Sequence, residues 1–238
     1  MEETIGPDAV FVPGSSGHLV VVFGSLASVY TKTYEGYDFF AGRDDNALFI
    51  RDTGPLAFHN GFTGLTNNIE ENVEFLKVFR SRVGAERTTF VGISSGGYAA
   101  ILLGALLGID DVIAVNPVTV WDPAIAAQKN IGERIPRSFA QLNEFYARSG
   151  TAPKYLDLQQ VLADHPDGIK LVGLHYGVED AIDSANAKHL EGAPSVALAA
   201  HSCPVHSLLA ATMIEQGVMA HHMNTPLAQL TEDYKAFS

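Results

Sequence analysis

Thr88-Thr89-Phe90-Val91-Gly92-Ile93-Ser94-Ser95-Gly96-Gly97-Tyr98-Ala99-Ala100 places a serine in a Gly92-x-Ser94-x-Gly96 pattern between a β-branched run and a run of small apolar residues. In a tight strand-to-helix turn, flanking glycines remove the Cβ atoms that would strike the strand and the helix, and the hydroxyl is pushed out above the sheet. A serine hydroxyl is a poor nucleophile at neutral pH and needs a base, which in turn needs an acid to orient it. The chain supplies both downstream and in that order. Glu179, Asp180 and Asp183 follow the run ending His175-Tyr176-Gly177, and His201 and His206 follow the run ending at Ala200. His206 precedes Ser207-Leu208-Leu209-Ala210, the expected start of the last helix, and is read as the base in a loop over the sheet edge. His201 abuts its strand and reads as a polar strand end. Asp180 and Asp183 are the candidate acids, although Asp183 could instead cap a helix beginning near Ser184. Oxyanion donors are expected from the N–H of Ser95 and from the turn Val22-Phe23-Gly24-Ser25-Leu26. There Gly24 permits close backbone approach, and the N–H of Ser25 or Leu26 can point at the developing charge.

Competing chemistries fit less well. Gly92, Gly96 and Gly97 do not match G-x-G-x-x-G, and no lysine follows as in a phosphate-binding loop. Ser94 or Ser95 could simply cap a helix. His221-His222 lack a Cys or acidic partner at ligand spacing and read as a solvated pair. His18, His59, His165, His175 and His189 stand alone and read as surface or strand-end residues. Cys203 has His206 three residues later but no strained turn to present it, and reads as an apolar filler. Nothing calls for a metal or a cofactor.

The elements that must position these residues follow from apolar runs. Leu19 to Phe23, Ala47 to Ile50, Thr88 to Gly92, Val112 to Val115, Ile169 to His175 and Ser195 to Ala200 read as strands, and helices alternate with them. Asn67 or Asn68 is the expected cap of a helix carrying Ile69, Val73, Leu76 and Phe79. Such alternation predicts an α/β chain with a mostly parallel sheet covered on both faces. Between Val118 and Ala163 the pattern loosens around Trp121, Phe139, Phe145, Tyr146 and Tyr155, and the segment is expected to be a small helical cap on a single domain spanning 1–238. With Tyr30, Tyr34 and Tyr37 of the loop Ser25 to Phe40, these aromatics suggest an apolar pocket.

The 238 residues are 47% hydrophobic, enough for a substantial core, and a net charge of −12 disfavours nucleic acid and anionic lipid surfaces. One cysteine cannot form an internal disulfide, the acidic start does not look like a signal peptide, and no apolar run is long enough to span a bilayer. A cytoplasmic protein acting on a small-molecule ester or acyl substrate is the expectation.

With the glycine-flanked serine, the acids and the histidine in this order, the chain resembles the α/β-hydrolase superfamily from Gly17 to about Gly217. It looks most like bacterial hydrolases found among polysaccharide and capsule proteins. The resembling stretches are Leu19-Val20-Val21-Val22-Phe23-Gly24, Leu48-Phe49-Ile50-Arg51-Asp52, Gly92 to Gly97 and Asp183-x-x-Asn186-Ala187-x-x-Leu190. The resemblance implies an α/β-hydrolase fold and a Ser-His-Asp enzyme that cleaves a carboxylic ester or thioester through an acyl-enzyme. Acyl transfer to, or deacetylation of, a saccharide shares that chemistry, and a non-catalytic scaffold is the rival of another class. The offset from the strand that is common in the superfamily favours Asp180 as acid; the pattern beginning at Asp183 favours Asp183. A His-Gly-Gly oxyanion motif of the lipase kind is missing.

Overall fold

A computed structural model describes residues 1–131 and 135–237. Residues 132–134, within the segment expected as a cap, and Ser238 lie outside the described residues. Two short strands, β1 (Glu3–Gly6) and β2 (Ala9–Val12), form an antiparallel hairpin that the sequence reading did not anticipate. Then come β3 (His18–Phe23), the short helices α1 (Ser28–Thr31) and α2 (Tyr37–Ala41), β4 (Asn46–Ile50), α3 (Ile69–Val83), β5 (Arg87–Ile93), α4 (Ser95–Leu107) and β6 (Ile109–Val115). The segment 118–163 holds α5 (Pro123–Lys129), α6 (Pro136–Ser149) and α7 (Leu158–Asp164). The chain ends with β7 (Ile169–Gly177), α8 (Ala181–His189), β8 (Val196–His201), α9 (Leu209–Glu215), α10 (Val218–Asn224) and α11 (Leu227–Phe237).

The eight strands form one sheet in the order β1-β2-β4-β3-β5-β6-β7-β8, parallel from β4 to β8. Every residue of β3 and β4 is buried, as unbroken apolar runs covered on both faces require. Asn68 caps α3, its side chain accepting the N–H of Glu71 at 2.8 Å. By contrast β8 is the edge strand and mostly half-exposed.

The apolar helix α4 is buried almost along its whole length. It anchors the segment 118–163, where Trp121, Phe139 and Tyr146 are buried and pack with Tyr98 of α4 and with His59. Two further ties fix this segment: a bridge between Val120 and Asp157, and the Asn186 side chain of α8, whose Oδ1 accepts from the N–H and hydroxyl of Thr119, each at 2.9 Å. Trp121 and Phe139 therefore serve the core, whereas Phe145, Tyr146 and Tyr155 line a separate cavity beside His59. Among the described residues no helix is long and apolar enough to cross a membrane.

Candidate active site

β5 runs up the middle of the sheet and stops at Ile93, and the next residue turns the chain sharply into α4. Ser94 has φ +55° and ψ −118°, a conformation that residues with a Cβ rarely adopt. Hydrogen bonds enforce it: Ser94 N–H donates to Val115 O at 3.0 Å, and Ser94 O accepts from Tyr98 N–H at 3.2 Å and Val118 N–H at 3.0 Å. A Cβ on Gly92 would lie 2.1 Å from Gly96 O, and one on Gly96 would lie 2.2 Å from Phe23 O. The turn closes against β3 only because glycine occupies both places.

His206 lies in the loop between β8 and α9, with its Nδ1 2.7 Å from Asp183 Oδ1. A carboxylate can only accept, so the ring donates from Nδ1, which leaves Nε2 as the nitrogen that can act as a base. Asp183 is 2% exposed and His206 23% at the side chain, a buried acid holding a ring that opens toward a cavity. Asp180, preferred on strand offset, does a different job: its Oδ1 accepts the N–H groups of Ile182 at 3.0 Å and Asp183 at 3.1 Å, capping α8. The two aspartates thus exchange the places that offset suggested.

Asn116 holds this loop. Its Nδ2 donates to His206 O at 2.9 Å, its Oδ1 accepts Gly177 N–H at 3.0 Å, and its own N–H donates to His175 O at 2.8 Å. One buried amide joins the ends of β6 and β7 to the loop that carries His206. In sequence, Asn116 merely follows the strand expected over Val112 to Val115.

Ser94 and His206 line a cavity of about 520 Å³ whose walls are mainly apolar, among them Phe23, Leu26, Phe40, Ile135, Ala210, Ile214 and Met219. The tyrosines expected here lie elsewhere: Tyr30 is 84% exposed, and Tyr34 and Tyr37 pack on Phe49. At the oxyanion turn, Gly24 N–H is engaged by Ile50 O at 2.8 Å, and a Cβ on Gly24 would lie 2.8 Å from Ser28 Oγ. Ser25 N–H, the expected donor, is not directed into open space. It donates to Glu35 Oε2 at 3.1 Å, and the Ser25 hydroxyl donates to Glu35 Oε1. Burial pushes the Glu35 carboxyl above its ordinary range, against the lowering effect of the two Ser25 hydrogen bonds. Ser95 heads α4, where the first N–H groups of a helix have no intrahelical partner.

The histidines read as surface or solvated residues prove mostly buried. His18, His59, His175, His189 and His222 are 1–8% exposed, whereas His165 is exposed as expected. Two of the buried rings, the half-buried His201 and a tyrosine belong to a chain of contacts: His201 Nε2 to His175 Nδ1 at 2.9 Å, His175 Nε2 to Tyr234 hydroxyl at 2.6 Å, Tyr234 to His222 Nδ1 at 3.1 Å, and His222 Nε2 to Asp111 Oδ2 at 2.9 Å. Asp111 also accepts from Arg87 and from the Thr89 hydroxyl, and that hydroxyl contacts His18 Nε2 at 2.7 Å. Burial holds His175 well below and His201 below the usual imidazole range. His59, between the hydroxyls of Tyr146 and Tyr98, is pushed down to about 3 by burial. Cys203 is buried, with its thiol directed at Val205 O. Among the described residues no group of three or more His, Cys, Asp or Glu side chains is placed to hold a metal ion.

A strained serine at the end of the central strand, a histidine above the neighbouring strand ends and a mostly parallel sheet with an antiparallel hairpin at one edge define the α/β-hydrolase fold, and the chain has that fold. Solved structures of this kind superpose over most of its length. A capsule O-acetyltransferase of Neisseria meningitidis serogroup A matches with TM-score 0.64 and 13% identity, over 90% of this chain and 91% of the other. An α/β-hydrolase enzyme from the lagoon-sediment metagenome of Mar Chica, Morocco, matches with TM-score 0.58 and 15% identity over 94% and 97%. A Pyrococcus furiosus esterase matches with TM-score 0.54 and 15% identity over 96% and 85%. At such identities the likeness establishes the fold alone. No protein-family model matches the chain, and no curated protein does.

Proposed function

We propose that the protein cleaves a small carboxylic ester or thioester through an acyl-enzyme on Ser94. The observation that carries this reading is that Ser94, in its strained turn, and His206, bonded to Asp183, line the same cavity. Ser94 Oγ attacks the acyl carbonyl while His206 Nε2 takes its proton and later returns it to the leaving alcohol or thiol. Asp183 keeps the ring in the Nδ1–H tautomer and stabilises the imidazolium as it forms. The N–H of Ser95 and a donor from the Ser25 turn stabilise the oxyanion. Water, activated by the same histidine, then releases the acid.

The test is hydrolysis of a p-nitrophenyl ester series by wild type, Ser94→Ala, His206→Ala and Asp183→Asn, with folding followed by circular dichroism. The reading requires all three variants to lose activity while folded, and turnover surviving in Ser94→Ala would refute it. A second reading, transfer of the acyl group to a sugar hydroxyl, is favoured by the likeness to a capsule O-acetyltransferase. Its chemistry is the same up to the acyl-enzyme. Product analysis with a saccharide acceptor separates the two, because only transfer yields an acylated sugar.

A further inference from the structure

Glu35 is a carboxylate inside the Ser94 cavity, and it sits on a group that acyl chemistry requires. Both donors of Ser25, its N–H and its hydroxyl, converge on the two oxygens of this planar anion. A negatively charged oxygen produced by attack on an acyl carbonyl needs a donor from the same turn. Of the turn's expected donors, Gly24 N–H is engaged by Ile50 O and both Ser25 donors by Glu35. An oxygen that uses Ser25 competes with the carboxylate already bound there.

We infer that Glu35 is a built-in occupant of the oxyanion position, so that an acyl substrate gains the Ser25 donors by displacing its carboxylate. This inference rests on the Ser94 reading. Hydrogen bonds to an ionised acceptor are about twice as strong as those between neutral groups. The neutral carbonyl of a bound ester competes poorly for Ser25, whereas the oxyanion, once formed, competes well. The carboxylate thus weakens ground-state engagement of the donor and adds its own displacement to the barrier.

The loop can release it. Glu35 lies between α1 and α2 and is flanked by left-handed residues, Lys32 at φ +56° and Gly36 at φ +65°. A glutamate has several rotatable side-chain bonds, so the carboxylate can withdraw while Phe40 stays in the core and Tyr34 stays against Phe49. Replacing Glu35 removes a charged acceptor from the site.

The experiment is the rate at which a fluorophosphonate probe labels Ser94 in wild type, Glu35→Gln and Glu35→Ala, read beside the ¹H–¹⁵N resonance of the Ser25 amide. Labelling should be about tenfold faster in Glu35→Ala, the size of one net hydrogen bond to a charged group, with a smaller gain in Glu35→Gln. The Ser25 resonance should shift in both variants. Equal or slower labelling in both folded variants would overturn the inference, because Glu35 would then be neutral or helpful to acylation. If no form of the protein labels, the Ser94 reading falls and the amide decides the remainder. A Ser25 resonance unchanged in both variants overturns the occupancy as well, and a shifted one upholds it.

Discussion

His206 with Asp183 and His222 with Asp111 are the same chemical pair at nearly the same separation, 2.7 and 2.9 Å, in opposite surroundings. The first stands on a loop above the C-terminal ends of the parallel strands, with its ring partly exposed to a cavity shared with Ser94. The second joins α10 to β6, with side chains 3% and 0% exposed, and its carboxylate also receives Arg87. Its other ring nitrogen contacts the Tyr234 hydroxyl. An acid holding an imidazole is therefore not a site in itself. What sets the first pair apart is the strained serine that lines the same cavity.

The two pairs fail differently when broken. The largest effect belongs to the exposed pair. His206→Ala and Asp183→Asn should lower kcat/KM for an activated ester by about 10⁴-fold, with little change in unfolding midpoint. The sealed pair should show the reverse. Asp111→Ala leaves Arg87 and His222 without their buried carboxylate and should cost about 3–5 kcal/mol in chemical denaturation, while kcat per folded molecule stays near wild type. An Asp111 variant that was stable but inactive would collapse the distinction. Asp180→Ala, three residues from Asp183, should lose only the cap of α8, about 1 kcal/mol, and keep most of its turnover. A loss of activity comparable to that of Asp183→Asn would return the acid's role to Asp180.

The smallest effect is in the pH response. His175 is held neutral by burial, so its folded pKa lies well below that of the unfolded chain. Below about pH 6.5 the unfolded chain takes up a proton that the folded one excludes, and stability falls as pH falls, by up to about 1.4 kcal/mol per pH unit for one such group. Asp52 acts in the other sense: burial raises it to about 6, so protonation favours the folded state between there and the ordinary carboxylate range. The difference between wild type and His175→Gln cancels that contribution. Stability measured between pH 6.5 and 5 should fall less steeply in the variant, and parallel curves would show that His175 is not kept neutral.

The parallel strands were legible because each is an apolar run, a signal contained within five to nine neighbouring residues. So was the turn at Ser94, whose glycines are required within the same short stretch. What escaped depends on residues far apart in sequence. His222 meets Asp111 across 111 positions and His175 meets His201 across 26, and a solitary histidine carries no periodicity to announce a buried partner. Glu35 lies ten positions from Ser25 in an irregular loop, where pattern gives no direction to a side chain. β1 carries no apolar run to announce it, because Glu3-Thr4-Ile5-Gly6 is exposed or half-exposed. The choice between Asp180 and Asp183 turned on where α8 begins: at Ala181 rather than near Ser184, which makes Asp180 the cap and carries Asp183 one turn along, to His206.

The left-handed backbone at Ser94 bears on how this sequence can drift. Glycine would occupy φ +55° more comfortably than serine, so Ser94→Gly relieves strain of order 1 kcal/mol while removing the hydroxyl. Under selection for stability alone this position would move toward glycine, and a serine persists there only against that bias. In a set of random variants sorted first for thermal resistance and then for ester turnover, Ser94→Gly should be enriched by the first sort and eliminated by the second.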